Sequence, residues 1–265
     1  MLIRIASPDN GRLKLVRKLQ TRKGRTAEGR FVIEGINLVR EAVTRGLDID
    51  FILLAEGFEP EPVIRECMDS DSITVCRVPD DMFEKLTDAG NGAGVLAVIR
   101  YKAQDISVMN SIPPDSNILV LDRIQDPGNI GTMIRTAAAA GYGMIAAVKG
   151  TADIYSPKVL RATAGMIFDI PFVYADSPRE LCGMIRETGR RIAVTDPAGG
   201  RPYYEEDLSR GIALVIGNEG NGISDEMLSL ADVRVTLPMK GGVESLNAAV
   251  SAAILMYEAV REHNR

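Results

Sequence analysis

The sequence predicts an α/β protein in two parts, on three observations. Short apolar runs alternate with helix-period segments along nearly the whole chain. One polar stretch with a proline pair interrupts the alternation. The second part then opens on a continuous apolar run, the signature of a parallel strand buried on both faces. A chain of 265 residues, 46% hydrophobic and 25% charged, has the length for two domains and the balance of a globular protein.

Taken in order, residues 11–25 (GRLKLVRKLQTRKGR) read as a basic helix with Leu13, Val16 and Leu19 on one face. Strands are expected at 31–35, 50–55, 73–78 and 94–100, and helices over 36–46, 61–68 and 80–87. The segment 101–116 carries Pro113-Pro114 and breaks the pattern. The expected division is therefore a first domain with its basic arm at 1–105, a linker at 106–116 and a second domain at 117–265. In the second domain NILVLD (117–122) is the buried strand, followed by strands at 144–148, 168–175, 191–196, 212–218 and 233–238. Helices are expected over 130–140, 156–165 (Ser156 as cap, Pro157 in the first turn), 177–189 and 246–263. The last has Ser245 as its expected N-cap and Leu246, Val250, Ala253, Ile254 and Tyr257 on one face.

Composition excludes several chemistries. Cys67, Cys76 and Cys182 are odd in number and form no CxxC, which argues against a disulfide framework or a cysteine zinc site and suits a reducing cytoplasm. The single histidine, His263, stands third from the end, so neither a histidine triad nor a multi-histidine metal site is expected. The opening residues lack the order of a signal peptide, and no stretch approaches the roughly 18–20 apolar residues of a membrane span. Charge is uneven. Residues 1–30 hold nine Arg and Lys against Asp9 and Glu28, a net of +7, which leaves −12 on the remainder of a chain whose formal charge is −5. A basic arm on an acidic body points to a polyanion.

Three strand-to-helix junctions carry residues that a plain turn does not require, and such junctions are where open α/β sheets bind ligands. In LDRIQDPGNIGTMIRTAAAAG (121–141), Asp126-Pro127-Gly128 makes a turn and Asn129 can cap the following helix, but Arg135 has no structural task. In LVIGNEGNGIS (214–224) the glycine order is neither the dinucleotide fingerprint nor the phosphate loop of NTPases, and the loop's backbone groups are available to a small ligand. In LPMKGGVESLNAAVSAAI (237–254) a strand ends in Pro and a Gly pair, and Glu244-Ser245-Leu246-Asn247 stand at the mouth of the last helix.

In this order the three segments resemble the motifs of the SpoU/TrmH family of RNA ribose 2′-O-methyltransferases, part of the SPOUT superfamily. The likeness rests on N-x-G-x-x-x-R at 129–135, IGNEGNGIS at 216–224 and LPMKGGVESLNAAVSAAI at 237–254. It extends to YSPKVLRATAGMIFDIPF (155–172), and GRFVIEGINLVREAV (29–43) with GVLAVI (94–99) resembles the substrate-binding domain that precedes the catalytic one in rRNA-type members. One departure is Ala248-Ala249, where the family often has larger β-branched residues.

The resemblance implies a C-terminal, trefoil-knotted methyltransferase domain with a mostly parallel sheet, preceded by a small α/β/α RNA-binding domain. It implies S-adenosylmethionine as cofactor, held by Gly217, Glu219, Leu237, Met239, Ser245, Leu246 and Asn247, and a homodimer through helices flanking the knot. Arg135 would activate the ribose 2′-hydroxyl, with Asn129 positioning Arg135 or the substrate. A guanidinium ordinarily keeps its proton, which favours a clamp on phosphate and developing alkoxide over a true base. Arg12, Lys14, Arg17, Lys18, Arg22, Lys23, Arg25 and Arg161 would contact RNA. The expected substrate is rRNA. A tRNA substrate, or a non-catalytic RNA-binding protein of the same fold, are the alternatives.

Overall fold

The computed structural model describes residues 2–70, 72–87, 94–102, 104–241 and 245–263. Two compact units are present: residues 1–103 together with 153–165, and residues 104–152 together with 166–265. The division differs from the expected one in two places. Residues Ile106–Ser111 form a 3-10 turn, not a spacer, and Met109 is fully buried in the core of the second unit. The helix expected at 156–165 groups with the first unit.

The first unit contains β1 (Leu2–Arg4), α1 (Gly11–Leu19), α2 (Arg22–Glu28), β2 (Arg30–Glu34), α3 (Ile36–Thr44), β3 (Ile49–Ala55), α4 (Pro62–Asp69), β4 (Val75–Val78), α5 (Asp80–Glu84) and β5 (Val95–Arg100). The sheet runs β1-β4-β3-β5-β2, with β5 antiparallel to both its neighbours and β4 parallel to both of its own. Leu13, Val16 and Leu19 of α1 are buried against Phe51, Leu53, Leu96 and Val98, as the helical spacing requires. The basic helix expected over 11–25 is two helices. Thr21 caps α2 by accepting from the Gly24 amide at 3.1 Å, and the chain turns so tightly that a Cβ on Gly24 would lie 1.9 Å from the Lys18 carbonyl oxygen. Only glycine fits that approach. The edge strand β1 was not expected, because three residues carry no readable period.

The second unit contains β6 (Ile118–Asp122), α6 (Pro127–Ala139) and β7 (Met144–Val148). Next along the chain comes α7 (Pro157–Thr163), the helix that groups with the first unit. The second unit resumes with β8 (Phe172–Ala175), α8 (Pro178–Glu187), β9 (Arg191–Thr195), β10 (Arg201–Pro202), β11 (Ile212–Gly217), α9 (Asp225–Ser229), β12 (Val233–Thr236) and α10 (Ala248–His263). Its seven strands are ordered β10-β12-β9-β11-β6-β7-β8, and every pairing is parallel. β6 and β11 are buried at every residue and lie side by side, with Asp122 opposite Gly217 at their carboxyl ends. From β6 the strand order runs out to β7 on one side and to β11 on the other, which opens a crevice above those ends.

α10 packs against α6, and the residues it buries are not those of the apolar face marked in the sequence. Ala249, Ala252, Leu255, Met256 and Ala259 are buried, whereas Val250, Ile254 and Tyr257 are 48%, 36% and 51% exposed. Alanines at three of the buried positions let the helix approach its neighbours closely, and Val250, Ile254 and Tyr257 point outward.

Candidate active site

The three junctions meet at the carboxyl ends of β6 and β11. Asp126, not Asn129, caps α6: its carboxylate accepts from the Asn129 amide at 2.8 Å, with Pro127 in the first turn. Asn129 is thereby displaced into the first turn of α6, and its side chain turns to other partners. Its Nδ2 donates to Glu219 Oε1 at 3.0 Å, and its Oδ1 accepts from Asn247 Nδ2 at 2.9 Å. One hydrogen-bonded line thus joins the loop after β11, the start of α6 and the start of α10.

Asn247, not Ser245, caps α10, since its Oδ1 accepts from the Ala249 and Val250 amides at 2.9 and 3.2 Å. Each asparagine amide is used at both ends, which fixes its orientation.

Glu219 is the charged member of the cluster. Oε1 accepts from the Asp126 amide at 3.1 Å, and Oε2 from the Gln125 amide at 3.2 Å. Partial burial works against the carboxylate, but the Asn129 side chain and these backbone amides outweigh it and hold Glu219 below the usual carboxylate range.

The glycine loop after β11 is less open than the sequence implies. Asn218 and Gly222 exchange two backbone hydrogen bonds of 2.9 Å, and Asn218 Oδ1 accepts from the Gly220 and Asn221 amides, both at 3.0 Å. Those two amides, expected to be available to a ligand, are already satisfied. Gly217 is required by packing: a Cβ there would lie 2.4 Å from the carbonyl carbon of Gly222 and from the Ile223 nitrogen.

Beside the cluster lies a cavity of about 260 Å³. Gly217, Glu219, Leu237, Met239, Ser245 and Leu246 all line it, whereas Asn247 does not: its neighbours Leu246 and Ala248 do, and its side chain bonds Asn129 instead. Thr195, the last residue of β9, and Asp196 and Pro197 beyond it complete one wall. The sequence reading missed them, although an Asp-Pro pair closing an apolar strand is a signal of the same kind as the other junctions. Apolar walls with backbone groups and a few side-chain oxygens suit a nucleoside with a polar tail. Glu244 of the third motif lies outside the described residues, as does the side chain of His263.

Arg135 is on α6 but is not drawn into the cluster. It is exposed, does not line the cavity and has no hydrogen-bonding or ionic partner among the described residues. Asn129 therefore orients Glu219 and Asn247 within the chain, not Arg135.

In the first unit the eight residues expected to bind RNA divide. Lys14 pairs with Asp9 and Lys18 with Glu28, both at the surface. Arg12 lies 5.7 Å over the Phe51 ring, Arg17 donates to the Pro8 carbonyl at 3.0 Å, and Arg22 and Lys23 are exposed. Arg25 contradicts its expected role. It is 5% exposed, bonds Asp153 Oδ2 through Nε and Nη2 at 2.9 and 2.6 Å, and donates to the Leu19 carbonyl at 2.7 Å. It is a buried tie between α2 and the segment that leads into α7. Arg161 pairs with Glu34 at 3.2 Å, and the Glu34 side chain is 2% exposed, so this cation also serves an internal ion pair.

Comparison with known proteins agrees with this geometry. Residues 116–257 match the SpoU rRNA Methylase family, and residues 10–97 match the MRM3-like substrate binding domain. The chain is 34% identical over 254 residues to the 23S rRNA (guanosine(2553)-2'-O)-methyltransferase RlmP of Bacillus subtilis, which spans 96% of this chain and 97% of that protein. It is 33% identical over 253 residues to the 23S rRNA (uridine(2479)-2'-O)-methyltransferase of Streptomyces viridochromogenes, covering 92% and 87% of the two. The crystal structure of the AdoMet-bound rRNA methyltransferase from Sinorhizobium meliloti superposes with a TM-score of 0.87 at 28% identity, over 98% of each chain. With three motifs converging on one hydrogen-bonded cluster and a family match across more than half its length, the chain belongs to the SpoU rRNA methylase family.

Proposed function

We propose that this protein transfers a methyl group from S-adenosylmethionine to a ribose 2′-hydroxyl of rRNA. The observation that carries the reading is the Glu219–Asn129–Asn247 line, which ties all three motifs to one wall of the cavity. The residues present fit the cofactor. Leu237 and Leu246 offer apolar surface to a purine, Met239 and Ser245 flank it, and Glu219 places a carboxylate at the rim. S-adenosylmethionine, when bound, supplies a methyl group on a sulfonium that leaves readily. The chain's own task is then to hold the reacting atoms close and in line.

Arg135 supplies the cation for the acceptor oxygen and its adjoining phosphate. Bidentate hydrogen bonding of this kind is what a guanidinium does best, and stabilising developing alkoxide does not require it to lose its proton: the hydroxyl proton leaves to a phosphate oxygen or water as the thioether departs from the methyl group.

Two further features complete the reading. Val250, Ile254 and Tyr257 form an exposed apolar stripe at helical spacing on α10. A two-fold dimer through that stripe brings a second copy beside α6, the helix that carries Arg135 outside the cavity wall. In the first unit the exposed cations of α1 and α2 grip the RNA backbone, and rRNA is favoured because the whole-length relatives named above are rRNA enzymes. Among the described residues no helix is long and apolar enough to cross a membrane, and a ribosomal substrate favours a cytoplasmic location.

The test uses purified protein, methyl-labelled S-adenosylmethionine and undermodified rRNA, followed by alkaline hydrolysis. Label in alkali-resistant dinucleotides is expected. Cofactor binding without label in any rRNA fraction, with label in tRNA instead, would overturn the substrate. Failure to bind the cofactor would overturn the activity.

A further inference from the structure

Arg123 follows β6 directly, and its backbone is left-handed, with φ of 60°. For a residue with a long side chain this conformation is strained, and glycine would adopt it freely. The surrounding structure holds it from both sides. The Arg123 amide donates to Thr151 Oγ1 at 3.2 Å, and its carbonyl accepts from Asn218 Nδ2 at 2.8 Å. Thr151 is itself anchored by donating to the Leu121 carbonyl at 3.0 Å. The aliphatic stem lies across Gly150, where an added Cβ would come within 3.1 Å of Arg123 Cγ.

The charged end is held but not consumed. Nε stands 3.4 Å from Asp122 Oδ1, a carboxylate with no exposed surface, yet neither atom makes a hydrogen bond. The other Asp122 oxygen accepts from the Ser224 amide at 2.6 Å. The Arg123 side chain is 42% exposed, and its two Nη groups have no partner among the described residues. A buried carboxylate therefore attracts the guanidinium to one place and leaves its outer edge, with four N–H donors, facing solvent.

That place is the carboxyl end of β6, in register with the end of β11 and bonded to the loop that borders the cavity. Arg123 does not line the cavity itself, so a ligand within the cavity is not its target. On the methyltransferase reading, the group that must come to this edge from outside is RNA. We propose that Arg123 binds a phosphate of the RNA backbone next to the ribose to be methylated. The proposal rests on that reading. Two donors in a fixed plane match two phosphate oxygens, which gives an arginine a task at a position whose backbone suits glycine.

The experiment compares the full-length protein with Arg123→Gly and Arg123→Lys, using in vitro transcribed 23S rRNA and S-adenosylmethionine as probes. Glycine relieves the left-handed backbone but leaves the buried Asp122 carboxylate without its cation, so the Arg123→Gly protein is expected to fold, with a Tm below that of the parent. Its KM for RNA is expected to rise roughly tenfold, with kcat changed far less. The slope of log K against log salt is expected to shrink by about 0.7–0.9, the value of one phosphate contact. Cofactor affinity measured by calorimetry is expected to stay within about twofold of the parent. Arg123→Lys keeps the charge and the backbone strain, and is expected to restore the salt slope with only part of the affinity. Unchanged KM and salt slope in Arg123→Gly would overturn the proposal, as would an equal loss of cofactor binding, which would mark the residue as a counter-ion of the fold. If the parent protein itself neither binds nor methylates rRNA, the methyltransferase reading fails first and this proposal with it.

Discussion

In the first unit the arginines and lysines of the basic arm are largely engaged: Lys14 with Asp9, Lys18 with Glu28, Arg25 with Asp153 and Arg30 with Asp50. In the second unit Arg123 and Arg135, close to the three motifs, present theirs outward, around a cluster built mainly of neutral amides. The number of charges along a sequence thus says little about where charge is available. A surface pair such as Lys14–Asp9 is weak and readily exchanged for a phosphate, but the buried Arg25–Asp153 pair is not.

The largest effect expected from this contrast is at Arg135. Arg135→Ala should lower turnover by roughly 10²–10³-fold while cofactor affinity, read by calorimetry, stays near that of the parent. Parent-like turnover would remove Arg135 from the reaction.

Arg25→Ala is expected to destabilise the protein by about 3 kcal/mol, because Asp153 is left buried without its partner. Lys23→Ala, an exposed change two residues away, should leave Tm in place and flatten the salt dependence of RNA binding instead. Denaturant unfolding and salt titration on the same two proteins separate a structural cation from a binding one.

Asn129→Ala sharpens the second half of the contrast. It removes the side chain that contributes most to holding the Glu219 carboxyl below its ordinary value, so the Glu219 pKa should rise. A carboxyl with a lowered folded-state pKa stabilises the protein above its unfolded value of about 4.3, and that contribution is lost as pH falls through the folded value. The stability gap between parent and Asn129→Ala should therefore be full at pH 7 and narrow below about pH 4. Thermal melts from pH 7 to pH 3 would reveal a constant gap if the Asn129–Glu219 bond contributed nothing.

The smallest effect on the isolated fold concerns α10. Ile254→Asp lies on the exposed stripe, so its melting temperature should change by little more than that of an ordinary surface substitution. If the stripe joins two copies, sedimentation should show the parent as a dimer and the variant as a monomer. An unchanged dimer would place the interface elsewhere.

The alternating strands and helices follow from local period, so β6, β7, β9, β11 and β12 fall where the apolar runs lie. The three motifs were legible because N-x-G-x-x-x-R, IGNEGNGIS and LPMKGGVESLNAAVSAAI are specific as a set. The cap of α6 is not legible locally, since Asp126 and Asn129 are both good cap residues and only the first turn of α6 decides between them. The sequence marks an apolar face on α10 but not which face is buried: hydrophobicity favours Val250 and Ile254, whereas Ala249, Ala252 and Ala259 are the residues buried. The membership of α7 in the first unit has no local signal at all.

The α/β class, the parallel character of the second sheet and the residues of the three motifs follow from local sequence, because these depend on chemistry a few positions apart. Tertiary structure decided which of those residues meet. Glu219, Asn129 and Asn247 stand 90 and 118 positions apart along the chain, and only the adjacency of β6, β11 and α10 closes their hydrogen bonds. It also decided which cations are free, since an arginine is hidden or presented according to the carboxylate that the fold places beside it, and local sequence does not record that distance.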